Sequence, residues 1–302
     1  MTTSKDTALR PVKIWWLAIR PRTLPAAISG VLVGTALAIQ DHAFRLPQFL
    51  AALFIALLLQ IGSNLANDVF DFERGADAGT RQGPLRVTQS GLLPPKQVKI
   101  GMGITFALAA LLGLFLAITV SWWVVPVGVA AILAAVAYTG GPFPLGYHGL
   151  GEIFVLLFFG FASVVGTDYV LTSHITAAAW GMSLPIGLII VGILVVNNYR
   201  DLADDRLSGK HTLSALFGAR FSRVEYVVCI LLPYLLIPIY ATAGMISWWA
   251  LLTWVSLPSA IQMIRMIYTQ SGTRLNLLLA NTGKLALIFS LLFLLPALLQ
   301  LF

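Results

Sequence analysis

The chain has 302 residues, 58% of them hydrophobic and only 10% charged, with a mean hydropathy of +0.88. A soluble domain carries about 25% charged residues, so the composition excludes a soluble globular protein and indicates an integral membrane protein. The net charge of +7 needs no nucleic acid, because cationic loops against an anionic leaflet account for it.

The first 23 residues lack a signal-peptide pattern and read as a cytoplasmic N-terminal segment. Nine apolar spans follow, at 24–40, 49–66, 98–120, 122–139, 151–171, 176–197, 224–243, 246–268 and 282–302. Each is near the ~20 residues that cross a bilayer as a helix. The pattern predicts an all-α polytopic bundle around a central cavity, formed by a single domain over 1–302. Gly30 and Gly34 in the first span read as helix-packing positions. Spans three and four are separated only by the Ser121–Trp122–Trp123 region and form a tight hairpin. Those tryptophans, with Trp248 and Trp249, fit an aromatic belt. The run GGPFPLGYHGLG at 140–151 is too rich in glycine and proline to be helical throughout. Cys229 is the only cysteine, so an internal disulfide and a cysteine-based metal site are both excluded.

With the N-terminus inside, eighteen of the nineteen Lys and Arg residues fall on the inner side and only Arg45 falls outside. This asymmetry orients the bundle and puts its two long polar loops, 67–97 and 198–223, in the cytoplasm.

Both loops begin with acids at the end of an apolar span. Asn64, Asp68 and Asp71 follow spacings of four and three, and Asn197, Asp201 and Asp204 repeat them, with Asp205 next. Such spacings place side chains on one helical face. Two facing acid stripes suit Mg²⁺, which takes oxygen ligands and usually keeps a phosphate in its shell. Arg74, Arg81 and Arg86 follow the first cluster, and Arg200, Arg206 and Lys210 accompany the second. That mixture of charges suits an anionic, metal-bound ligand such as a diphosphate. A solvated helix cap explains either cluster alone, but poorly explains two of matched spacing on one side. An ion-coupled transporter would carry its acids near the bilayer midplane, whereas these lie at span ends among Lys and Arg.

The motifs resemble those of the UbiA superfamily of membrane prenyltransferases. NLANDVFDFERGAD at 64–77 is similar to its first Asp-rich motif and NNYRDLADDRLSGKHTL at 197–213 to its second. RPRTLP at 20–25 resembles the family's entry into the first helix. In the first motif Gly75 stands where the general pattern has an Asp, and the acid follows as Asp77. That ending, GPLRVTQSG at 83–91 and YTGGPFPLGYHGLGE at 138–152 are similar to the branch that uses 1,4-dihydroxy-2-naphthoate in menaquinone synthesis. Relatives that use benzoate or farnesylate haem carry a basic pair where this chain has Gly141–Pro142. Glu152 stands where an Asp is common in the branch.

The resemblance implies transfer of a polyprenyl group from a polyprenyl diphosphate to dihydroxynaphthoate, with loss of CO₂ and pyrophosphate, in a bacterial inner membrane with the site facing the cytoplasm. It implies Mg²⁺ held by Asp68, Asp71, Asp201 and Asp205, supported by Asp77 and Asp204. Asn64, Asn67, Asn197 and Asn198 would orient the diphosphate or the ligands. Arg200 and Lys210 would meet phosphate, with Arg22, Arg81 and Arg86 in support, and Tyr138 would lie near the allylic cation. Arg86 is alternatively the partner of the acceptor's carboxylate. A superfamily member with a para-hydroxybenzoate-like acceptor would share the metal site and differ at 138–152. Beyond the substrates and the bilayer, no protein partner is implied.

Overall fold

The computed structural model describes residues 10–75 and 82–299. Among them every regular element is helical. Arg10 leads into α1 (Pro11–Ile19), which stops at Arg20 in the left-handed region (φ 55°), and one 3₁₀ turn, Pro21–Thr23, leads into α2 (Leu24–Gln40). Then come α3 (Leu46–Glu73), α4 (Pro95–Thr119) and α5 (Val124–Ala137). α6 (Gly151–Thr172) contains a π-helical stretch at Leu156–Ala162. α7 (Ala177–Arg200) and the short α8 (Leu202–Leu207) carry the second acid motif. α9 (Leu213–Thr242), α10 (Trp248–Thr269, opening as a 3₁₀ helix) and α11 (Leu275–Leu299) complete the bundle.

Eight described helical stretches are long and apolar enough to cross a membrane. α5 is the exception. Its 14 residues reach only about 21 Å at 1.5 Å per residue, short of the ~30 Å hydrocarbon core. The fourth span, read as 122–139, is therefore a shorter helix than expected. In the N-terminal segment, Ala18 of α1 is buried, and Trp15 and Leu17 pack against the cluster that holds Leu65, Val69 and Val98 of α3 and α4.

The main core lies between α2, α6, α7, α9 and α11. α2 approaches α6 through glycine. A Cβ on Gly30 would come within 2.4 Å of Ser163 Oγ, and one on Gly34 within 2.5 Å of the Val164 carbonyl. Both glycines are thus needed for close packing. α5 has no buried residue and packs on α3 and α4. It forms one wall of a cavity and leaves that cavity wide.

Candidate active site

The cavity has a volume of about 1680 Å³. Its apolar length runs along α5 and past Phe158, Phe161 and Val165 to Trp122, Trp123 and Ile175 at one end of the bundle. At the other end it is walled by Asn67, Asp71, Arg86, Tyr138, Tyr147, Asn197, Asn198, Asp201, Asp204, Asp205 and Lys210. The two motifs, 133 residues apart, thus meet at one polar mouth.

The first motif does not present its acids equally. Asn64 turns away from the cavity and donates to the Ile19 carbonyl (2.8 Å) and to Thr23 Oγ1 (2.9 Å), fixing the α1–α2 corner. Asp68 accepts from the backbone N–H groups of Val87 (3.1 Å) and Thr88 (2.9 Å) and lies 3.7 Å from Arg20. It is 1% exposed and does not line the cavity. The expected Asn64–Asp68–Asp71 stripe is real as a helical face, but that face packs against α1 and the turn after Arg86. Only its last member reaches the mouth. The cavity-facing pair is Asn67 and Asp71, one turn apart. α3 then ends at Glu73, and Gly75 takes the left-handed conformation (φ 67°) that releases the chain. Glu73 points outward to Lys99 (2.7 Å).

Asp71 is the hub of the mouth. It receives a hydrogen bond from Tyr147 Oη at 2.6 Å, forms an ion pair with Arg86 and lies 3.8 Å from Lys210 Nζ. Arg86 also donates to the Asn67 carbonyl (2.8 Å). Lys210 stands 4.5 Å above the Tyr147 ring. Burial and the adjacent Asp71 carboxylate push the Tyr147 phenol well above its usual range, so it remains a donor.

The second motif is built differently. Arg200 grips its own neighbour Asp201 through two contacts (2.7 and 2.6 Å) and donates to Asn197 (2.8 Å) and Asn276 (2.7 Å). Its side chain is fully buried while that of Asp201 is 17% exposed. Arg200 therefore braces Asp201 from behind and does not face the cavity, contrary to the phosphate-binding expectation. Asn276 in turn donates to the Gln82 carbonyl (2.9 Å), tying α11 to the loop that follows the first motif. Asp205 accepts from Thr212 (3.2 Å). Burial pushes its carboxyl up to about 6, Lys210 opposing the rise and Asp201 adding to it. Tyr199 faces away and accepts from Arg223.

Arg22 is exposed and lies outside the cavity lining. Its expected phosphate role has no geometric support, because the 3₁₀ turn directs it outward and leaves Arg20 to line the cavity instead. Asp77 and Arg81 lie outside the described residues. Sequence reasoning missed Arg20, Tyr147 and Asn276. Arg20 and Tyr147 stand within the quoted runs RPRTLP and GGPFPLGYHGLG, which were a usable signal. Asn276 had none.

The donor set at the mouth is carboxylate and amide oxygen, which suits a hard cation such as Mg²⁺ and not a soft metal. Among the described residues no three acid, histidine or cysteine side chains converge on one metal position. Arg86 and Lys210 neutralise Asp71, and Arg200 neutralises Asp201. Carboxylates and cations side by side in this way are a chemistry that suits a metal–diphosphate ligand.

Fold and site together define an integral membrane protein whose long apolar cavity ends in an acid- and amide-lined mouth. The chain belongs to the UbiA prenyltransferase family, whose sequence model matches residues 27–288. It is 34% identical to the 1,4-dihydroxy-2-naphthoate octaprenyltransferase of Haemophilus influenzae, over 96% of this chain and 97% of that one. It is 36% identical to the Escherichia coli K12 protein of the same name, over 93% and 94%. Among solved structures, an apo UbiA homologue from Aeropyrum pernix K1 superposes with a TM-score of 0.71 at 13% identity, covering 95% of this chain and 99% of that one. A homologue from Archaeoglobus fulgidus bound to DMAPP and Mg²⁺ gives 0.68 at 12% identity, covering 94% and 98%.

Proposed function

We propose that the chain transfers a polyprenyl group from a polyprenyl diphosphate to 1,4-dihydroxy-2-naphthoate, releasing CO₂ and pyrophosphate and giving demethylmenaquinol. The observation that carries this reading is the meeting of Asp71 with Asp201, Asp204, Asp205 and Lys210 at the polar end of a long apolar cavity. The names of the relatives favour the naphthoate acceptor over para-hydroxybenzoate. Acids at the mouth and not at mid-bilayer argue against ion-coupled transport. The whole chain acts as one domain in a bacterial inner membrane, with the mouth in the cytoplasm, where the Lys and Arg residues collect.

Asp71, Asp201, Asp204 and Asp205 would hold Mg²⁺, with Asn67, Asn197 and Asn198 nearby and Asp68 shaping the turn that delivers Arg86. When bound, the ion neutralises the diphosphate and stabilises charge developing on its leaving oxygen. Arg86 and Lys210 turn from Asp71 to the departing diphosphate, where preorganised positive charge is the main catalytic term. The bond from C1 to oxygen breaks with its electron pair going to the diphosphate. Apolar walls keep water from the allylic cation, and the Tyr138 and Tyr147 rings lie at the mouth to face it. The acceptor carbon bearing the carboxylate bonds to C1. Its bond to the carboxylate then breaks, CO₂ leaves, and that electron pair restores the aromatic ring. An ionised acceptor needs no protein base.

Purified protein with Mg²⁺, a polyprenyl diphosphate and carboxyl-labelled dihydroxynaphthoate should release labelled CO₂ in step with prenylated product. Product from para-hydroxybenzoate alone would overturn the acceptor and keep the reaction class. Absence of product with either acceptor would overturn both.

A further inference from the structure

We infer that Glu152 is a positioning residue, which turns the carbonyl oxygen of Asn198 toward the cavity so that it joins the acids of the second motif. The inference rests on the metal–diphosphate reading above. Glu152 opens α6 and is 8% exposed. Its Oε1 accepts a hydrogen bond of 2.9 Å from Asn198 Nδ2. An amide has a donor end and an acceptor end, so committing Nδ2 to Glu152 decides what Asn198 offers on its other side. Among the described residues, no hydrogen bond engages Asn198 Oδ1, and that atom is not among the buried polar atoms lacking a partner. It is therefore open, and Asn198 opens onto the cavity.

Asn198, Asp201 and Asp205 all line the mouth. A neutral oxygen lining the same mouth as two carboxylates would add to a hard-cation donor set without adding charge. The reversed amide would aim an N–H₂ group at the cation and repel it. The inference requires that Oε1 carries no proton, the form that accepts from Asn198 Nδ2.

The test is Mn²⁺ binding followed by electron paramagnetic resonance on the full-length protein, with a non-hydrolysable polyprenyl diphosphate analogue present. Glu152→Leu should weaken binding about 10- to 100-fold, the size seen when a partner that orients a ligand is lost. Asn198→Ala should weaken it to the same extent, and the double variant should fall no further, since residues acting as one unit are not additive. Glu152→Asp should recover most of the affinity, and thermal melting checks that each variant is folded. Should Glu152→Leu not fold, the exchanged pair E152Q/N198D serves. There the new amide donates to the new carboxylate, whose second oxygen faces the cavity, so the pair should bind Mn²⁺ more tightly than N198D alone. Wild-type binding by Glu152→Leu, full additivity with Asn198→Ala, or no gain from the exchanged pair would each overturn the inference. If the wild type itself binds no Mn²⁺ with the analogue, the metal–diphosphate reading fails instead.

Discussion

The ends of α3 and α7 carry the same spacing of Asn and two Asp, yet they spend their charges differently. At the end of α3, Asp68 is consumed by two backbone N–H groups, and Asp71 faces the cavity in the company of cations from other segments. At the end of α7, the leading acid Asp201 is held by the residue before it, and Asp204 and Asp205 follow it around the mouth. Equal spacing on a helix fixes which residues share a face, but packing against neighbours decides which face meets the ligand. Asp71 therefore draws its counter-charge from other segments, through Arg86 and Lys210. The α7 cation, Arg200, is locked by Asn197 and Asn276 as well as by Asp201 and serves the fold.

That contrast can be broken by substitution. Arg200→Met should give the largest loss of stability, about 3–5 kcal/mol, because it strands the Asp201 carboxylate and two amides without their donor. It would appear as a large fall in melting temperature in detergent. Asp71→Asn should leave the fold in place and lower kcat/KM about 10²- to 10³-fold, as expected for one lost preorganised electrostatic contact. Asp68→Asn should do the reverse. It should cost about 1–3 kcal/mol through poorly matched backbone donors, with a smaller fall in activity carried through the displaced turn before Arg86. Arg22→Ala should change kcat/KM least, near wild type, because that side chain points outward. A hundredfold loss there would show that the N-terminal corner rearranges when substrate binds.

Much of this was legible before the structure. Long apolar runs must satisfy their backbone polar groups internally, so a helical bundle followed directly from composition. The meeting of the two acid motifs also followed, because each ends a span on the same side. The identity of the cavity-facing acids did not. Asn64 and Asp68 share a face with Asp71, and nothing in the spacing says that Ile19, Thr23 and the Val87–Thr88 turn will cover two of the three. Arg200 misled for a related reason. An arginine beside an aspartate in a diphosphate-type motif reads as a phosphate ligand until Asn276, from a distant helix, is seen to claim it. α5 appeared as a full span because its flanking Trp122, Trp123 and Tyr138 are apolar, although the helix itself stops short of them.

The central claim is that Asp71, and not Asp68, carries the α3 share of the metal–diphosphate site. Calorimetric titration of Mg²⁺ into detergent-solubilised protein holding a non-hydrolysable polyprenyl diphosphate analogue tests it directly. We predict that Asp68→Asn binds Mg²⁺ with near wild-type affinity in its folded fraction, while Asp71→Asn loses measurable binding. Retained binding in folded Asp71→Asn, with binding abolished in folded Asp68→Asn, would contradict the account.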